Sequence, residues 1–200
     1  ILVTRKAFPG QILAVTFTNK AAREMRERVT SLVGPVAEDL WVGTFHAIAA
    51  RILRRHAEQV GLKSNFTILD SDDQLRLIKR VMRENQIDES KWPPKQAQWF
   101  ISSQKDEGLR ANHIQENPGD QFLSIMLKIY RQYEKLCQQG GLVDFGELLL
   151  RSHELWLHRP ELLAHYQGRF QHILVDEFQD TNTIQYAWLQ VLASNRVTMT

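Results

Sequence analysis

The sequence predicts an α/β fold: a parallel sheet interrupted by one large all-helical insertion. Three observations carry that expectation. Ile173-Leu-Val175 is an unbroken apolar run that ends in two adjacent carboxylates, Asp176 and Glu177. Such runs suit strands covered on both faces. From Ile12 to Gly61 the pattern alternates strand, helix, strand, helix, as in an open α/β sheet. Between Ser71 and Tyr166 the periodicity is almost entirely helical, and the α/β pattern resumes only at His172.

Taken in order, Ile12-Leu-Ala-Val-Thr-Phe17 reads as a buried strand. Asn19 to Leu32 then carries Ala22, Met25, Val29 and Leu32 on one helical stripe, and Gly34-Pro35 ends it. Leu40 to Phe45 is a further strand, followed by a helix with Ile48, Ile52 and Leu53 inward. Ser71-Asp-Asp-Gln74 has capping-box spacing before a helix with Leu75, Ile78 and Met82 on its apolar face. Trp92-Pro-Pro94 breaks the chain before a helix from Gln96 to Lys105. Asp120 to Gln138 is a long amphipathic helix with Phe122, Ile125, Met126, Ile129, Tyr133 and Leu136 inward, closed by Gly140-Gly141. Asp144-Phe-Gly-Glu147 caps the next helix, and Pro160 suits the first turn of a short one. Helix capping also accounts for Asp70, Asp72 and Asp73 better than a metal cluster does.

With 200 residues, 43% hydrophobic and 24% charged, the chain has the composition of an ordinary soluble globular protein, with room for one large domain or two small ones. A net charge of +2 is too mild to argue for nucleic acid by itself. No apolar run approaches the ~20 residues that span a bilayer, so no membrane partner is expected. Ile1-Leu-Val-Thr-Arg-Lys6 lacks an initiator Met and an apolar signal segment, and reads as a cut through a longer chain. Cys137 is the sole cysteine; it excludes an internal disulfide, fits a reducing cytosol and is expected to be a structural thiol.

Ligands of open α/β sheets bind beyond the carboxyl ends of the strands. There Asp176 can hold a divalent cation and Glu177 can orient or deprotonate a water, which is what nucleoside-triphosphate hydrolysis needs. The plainer alternative is that the two acids cap the helix beginning near Asn182. A cap needs one acceptor, however, and Asp176 to Thr181 supplies five polar residues in six. In Ala14-Val-Thr-Phe-Thr-Asn-Lys-Ala-Ala22 a strand ends in Thr18 and Asn19 at a helix start, where free N–H groups can hold a phosphate and Phe17 can lie against a base. Trp41-Val-Gly-Thr-Phe-His46 repeats the design with Thr44, Phe45 and His46. Each segment by itself is equally an N-cap with a core Phe. The basic runs Lys20, Arg23, Arg26, Arg28 and Arg51, Arg54, Arg55 read as solvated helix faces.

Together these segments resemble superfamily 1 DNA helicases of the UvrD/Rep/PcrA type. The resemblance rests on Val15-Thr-Phe-Thr-Asn-Lys-Ala-Ala22, Val42-Gly-Thr-Phe-His46, Leu142-Val-Asp-Phe145 with Glu147-Leu148-Leu149, and Leu174-Val-Asp-Glu-Phe-Gln-Asp-Thr-Asn182. It covers essentially the whole chain. It implies a partial RecA-like (P-loop NTPase) sheet, with residues 1–46 and 171–200 in motor domain 1A and residues 47–170 in the helical accessory domain 1B. It implies ATP and Mg²⁺ as cofactors, with Asp176 binding the metal, Glu177 activating water, and Gln179 and Asp180 coupling nucleotide state to DNA. Phe17, Thr18, Asn19, Thr44, Phe45 and His46 would contact single-stranded DNA through phosphates and stacking. The implied activity is 3′ to 5′ translocation and duplex unwinding in repair and replication, in the cytoplasm, with repair proteins as possible partners.

No Gly-x-x-x-x-Gly-Lys-Ser/Thr occurs in the 200 residues, no Gly is followed by Lys, and the chain stops at Val197-Thr-Met-Thr200. These residues alone are therefore expected to lack the phosphate cradle and to be inactive as an ATPase. Two other readings stand beside the helicase: a subunit of a helicase–nuclease, and a non-catalytic DNA-binding or partner-docking module. For the last, Arg76, Lys79, Arg80, Arg83, Lys91 and Lys95 offer a surface for duplex phosphates, or simply a solvated face.

Overall fold

The computed structural model describes Leu2 and residues 6–193. The start at Ile1 and the stop at Val197–Thr200, read above as cut ends, lie outside the described residues. Strand β1 (Ile12–Thr16) is buried along its whole length. It leads into helix α1 (Asn19–Val33), strand β2 (Trp41–Thr44) and helix α2 (Phe45–Arg55). Far along the chain, strand β5 (His172–Val175) returns beside β1 and feeds helix α8 (Thr183–Ala193). The strand order is β2-β1-β5, all parallel.

Both sheet faces are covered, which explains why β1 shows no polar alternation. On one face Ile12, Ala14, Val42 and Leu174 meet Ala22, Met25, Val29 and Val33 of α1. The stripe on α1 thus closes at Val33, and Leu32, expected inward, is exposed. On the other face Leu13, Val15 and Ile173 pack with the buried stripe Phe45, Ile48, Ala49, Ile52 and Leu53 of α2. Trp156 and Trp188 fill the same core.

Between β2 and β5 lie α3 (Ser71–Glu84), α4 (Pro94–Asp106), α5 (Gln121–Gly140), α6 (Phe145–His158) and α7 (Pro160–Arg169). A second, parallel pair of two-residue strands, β3 (Thr67–Ile68) with β4 (Leu142–Val143), closes the base of this insertion. The true cap of α3 is Asp70, whose Oδ1 accepts from the Asp73 N–H at 2.8 Å, one residue before the expected Ser71. Helices α3, α4 and α5 share a core of their own, from Leu69 to Cys137.

The expected accessory span of 47–170 is larger than the body with a separate core. Helices α2 and α6, with Tyr166 of α7, contribute to the sheet's own core. The physical reason is the apolar stripe of α2, which faces the sheet and is sealed by Leu148, Leu149 and Leu155 of α6. No helix among the described residues is long and apolar enough to cross a membrane. The fold shown is a mixed α/β architecture with a small parallel sheet and mostly helices.

Candidate functional site

The register fixes the site. Thr16 pairs with Thr44 across β1 and β2. Val15 pairs with Val175, and the Asp176 N–H donates to the Val15 carbonyl at 3.0 Å. The carboxyl ends of three strands therefore form one edge, with β1 in the middle. Adjacent strands lie ~4.8 Å apart, so the acidic pair and Thr44 are separated by a single strand.

At the end of β1 the buried Thr16 hydroxyl donates to the Thr18 carbonyl at 3.1 Å. This turns the chain into α1, whose cap is Thr18, accepting from the Ala21 N–H at 3.1 Å. Thr18 and Asn19 are exposed, and Phe17 is half-buried, its ring 5.4 Å from that of Phe45. At the end of β2, Thr44 caps α2 by accepting from the Ala47 N–H at 3.2 Å. Phe45 is 1% exposed and packs on Trp188. Its ring is sealed in the core and has no free face for a base. His46 is half-buried against Phe145, with ring centroids 5.4 Å apart. Burial lowers its pKa, with Asp144 acting in the opposite sense, so His46 is neutral at neutral pH.

After β5 both Asp176 and Glu177 are exposed. Glu177 sits at φ 54°, ψ 44°, a left-handed conformation that costs a residue with a β-carbon about 1 kcal/mol or more. A single 3-10 turn, Phe178–Asp180, follows, closed by the Asp180 N–H on the Glu177 carbonyl at 2.9 Å. Gln179 donates to the Glu177 carboxylate. The cap of α8 is Asn182: its Oδ1 accepts from the Gln185 N–H at 2.9 Å, and its own N–H donates to Gln185 Oε1 at 3.0 Å. The plain capping alternative for Asp176 and Glu177 therefore fails. Two exposed acids are held in a strained turn at a strand end without serving the helix behind them.

Among the described residues, no group of three or more His, Cys, Asp or Glu side chains is placed to hold a metal. A single strand-end carboxylate suits Mg²⁺, which keeps several waters and is bound by one or two carboxylates together with substrate phosphates.

Sequence reasoning missed the largest electrostatic feature, which lies just behind this edge. Lys105, 2% exposed, bridges Asp144 at 2.8 Å and Glu147 at 3.1 Å. Arg110 and Arg151 each reach Glu147 Oε1 at 2.8 Å, and Tyr133 donates to Asp144 at 2.7 Å. Burial opposes charge on Glu147, but Lys105, Arg110 and Arg151 outweigh it and hold the carboxyl well below its usual range. Burial likewise opposes charge on Lys105, and Asp144 with Glu147 more than restore it. Gly146 makes room for this lysine: a β-carbon there would lie 2.8 Å from Lys105 Cβ. Cys137 borders the network, and burial pushes its thiol up to about 12, which keeps it protonated and inert. Two residues past Lys105, Glu107 accepts from the Thr183 hydroxyl at 2.8 Å. The helical insertion thereby touches the start of α8. The sequence hinted at this network only through the Asp144 and Glu147 cap; nothing in it pointed to Lys105.

A family model described as the UvrD/REP helicase N-terminal domain matches residues 1–200. The chain belongs to that family. It is 56% identical over 189 residues to DNA helicase II of Escherichia coli (strain K12), covering 94% of this chain and 26% of that protein. The probable DNA helicase II homolog of Rickettsia felis is 45% identical over 191 residues, with 94% of this chain and 29% of the relative covered. The ATP-dependent DNA helicase PcrA of Bacillus subtilis is 40% identical over 193 residues, or 96% of this chain and 26% of that relative. The chain thus spans about a quarter of the length of these curated relatives.

Proposed function

We propose that these residues form part of the first, RecA-like motor domain and the accessory domain of an ATP-driven 3′ to 5′ DNA helicase. The observation that carries this reading is the shared edge on which three strands end, with an exposed, strained acidic pair at one side and Thr44 at the other. Asp176 would hold Mg²⁺, which when bound neutralises charge on the transferring phosphate. Glu177 accepts a proton from the attacking water. Gln179, which donates to the Glu177 carboxylate, orients it. Gln179 and Asp180, on the turn between the acids and α8, relay nucleotide state to DNA.

Thr18 and Asn19, both exposed, offer a hydroxyl and a side-chain amide to the phosphates of a single strand, and the buried Thr44 holds the start of α2 so that its helix-start N–H groups face the same edge. Phe17 and His46 line the same groove. Phe145, 44% exposed beside His46, supplies the stacking face that Phe45 lacks. The body with its own core, from Leu69 to Cys137, is the accessory domain. On its helix α3, Arg76 pairs with Asp73 and Arg80 with Glu84, so duplex contact falls to Lys79, Arg83, Lys91 and Lys95. Roles in repair and replication, repair-protein partners and a cytoplasmic location complete the proposal. It is tested by exchanging the matched region of E. coli DNA helicase II for this chain. The chimera should show DNA-stimulated ATP hydrolysis and unwind a tailed duplex. A folded chimera that binds DNA but neither hydrolyses ATP nor unwinds would reject the reading.

A further inference from the structure

Along the outer edge strand β2, on the side of the sheet away from the acidic pair, three arginines gather around one indole and a fourth holds the neighbouring backbone. The guanidinium carbons of Arg51, Arg169 and Arg55 lie 3.8, 5.1 and 5.2 Å from the Trp41 ring centroid. Arg26 reaches the same strand, donating to the Val42 carbonyl at 2.7 Å. Cations stack well on indole faces, which explains how one charge settles there. It does not explain three, with a fourth close by. Among the described residues none of the four has a carboxylate within 4.0 Å, although ten ion pairs of that kind form elsewhere. Burial first, then Arg55, Arg169 and Arg26, push the Arg51 guanidinium below its ordinary value, with Tyr166 acting in the opposite sense.

We propose that this arginine cluster is a docking site for an acidic segment of a protein partner. Three observations favour a protein over a nucleic acid. The charges converge on a single spot within 5.2 Å of one centroid, whereas a nucleic-acid strand is held along a track. The spot lies across the sheet from β5, the strand that leads into the acidic pair. And Phe8, 77% exposed, stands two residues from Gly10, whose carbonyl accepts from Arg169 at 3.3 Å. An exposed aromatic two residues along the chain from a backbone carbonyl that one of these guanidiniums holds matches the aromatic and arginine content of protein interfaces, and guanidinium pairs bidentately with carboxylates. The partner segment therefore carries Asp or Glu next to an apolar anchor.

The test is fluorescence anisotropy on the purified chain with two labelled probes of equal net charge. One is a short Asp/Glu peptide containing a single Phe; the other is a single-stranded oligonucleotide. Arg26→Glu with Arg55→Glu should weaken the peptide by at least about tenfold and leave the oligonucleotide unchanged. Phe8→Ser keeps every charge and removes only an exposed ring, so it folds; it should weaken the peptide several-fold while sparing the oligonucleotide. Peptide affinity unchanged in both variants, or no measurable peptide binding, overturns the proposal. So does loss of the oligonucleotide in place of the peptide, which would make the cluster a nucleic-acid site.

Discussion

The tripeptide Leu-Val-Asp occurs twice, at Leu142–Asp144 and at Leu174–Asp176, each time ending a strand and followed closely by a Glu. The two copies meet opposite fates. Asp144 and Glu147 are buried and saturated by a lysine, two arginines and a tyrosine. Asp176 and Glu177 are exposed, and no cation lies within 4.0 Å of either among the described residues. A carboxylate whose lone pairs are all taken can only hold structure. One left open in a strained turn is free for a metal or a water. What separates the pairs is distant sequence: the buried pair is met by Lys105 and Arg110 from α4 and the loop beyond it, while among the described residues no comparable cation reaches the end of β5.

That contrast can be broken most severely from the buried side. Lys105→Met leaves two carboxylates buried with too few cations, and such half-broken pairs cost about 3–5 kcal/mol. A urea midpoint that barely moves would show that the network is not what ties α4 to α6. Gly146→Ala should cost about 1–3 kcal/mol by overpacking, because its new β-carbon would press on Lys105; the same unfolding curve reads it.

Acidity sharpens the comparison further. The native Glu147 carboxyl lies below its ordinary value of 4.5. Its contribution to stability is therefore complete above that value and is lost as pH falls through the depressed native one. Native Lys105 lies above its ordinary 10.5, so its contribution holds below that pH and is lost as pH rises through the native value. Stability carried by the network should be level between the two ordinary values, and Lys105→Met should flatten the acid limb. At the exposed pair, Glu177→Gly is the smallest change. Relief of the left-handed backbone and the entropy of glycine nearly cancel, leaving stability within about 1 kcal/mol of the parent. A larger loss would mean that Glu177 is structural after all.

Much of this was legible in the residues. The apolar run Ile173–Val175 and the Thr-bearing strand ends located the sheet and its carboxyl edge, because burial on both faces leaves a plain signature. Positions that depend on distant contacts were not legible. Phe45 and Phe17 read alike, yet only the first is sealed, by Trp188 on α8. Lys105 reads as a surface lysine at a helix end until α6 brings Asp144 and Glu147 against it. The span 47–170 takes in helices of both cores, because a helix's periodicity reveals its apolar stripe but not the layer that covers it. Arg51 and Arg55 are exposed, as a solvated helix face would be, but nothing nearby in sequence announces that Trp41 lies beneath them.

The account rests on unequal jobs for two similar acids, and one paired measurement in the E. coli chimera reads it directly: single-turnover ATP hydrolysis beside thermal midpoint for Glu177→Gln and Glu147→Gln. Glu177→Gln should keep the parent midpoint and lose about 10²–10⁴-fold in hydrolysis. Glu147→Gln should lower the midpoint while the folded molecules hydrolyse at nearly the parent rate. Parent-like hydrolysis in Glu177→Gln, with the midpoint unchanged, would contradict the account.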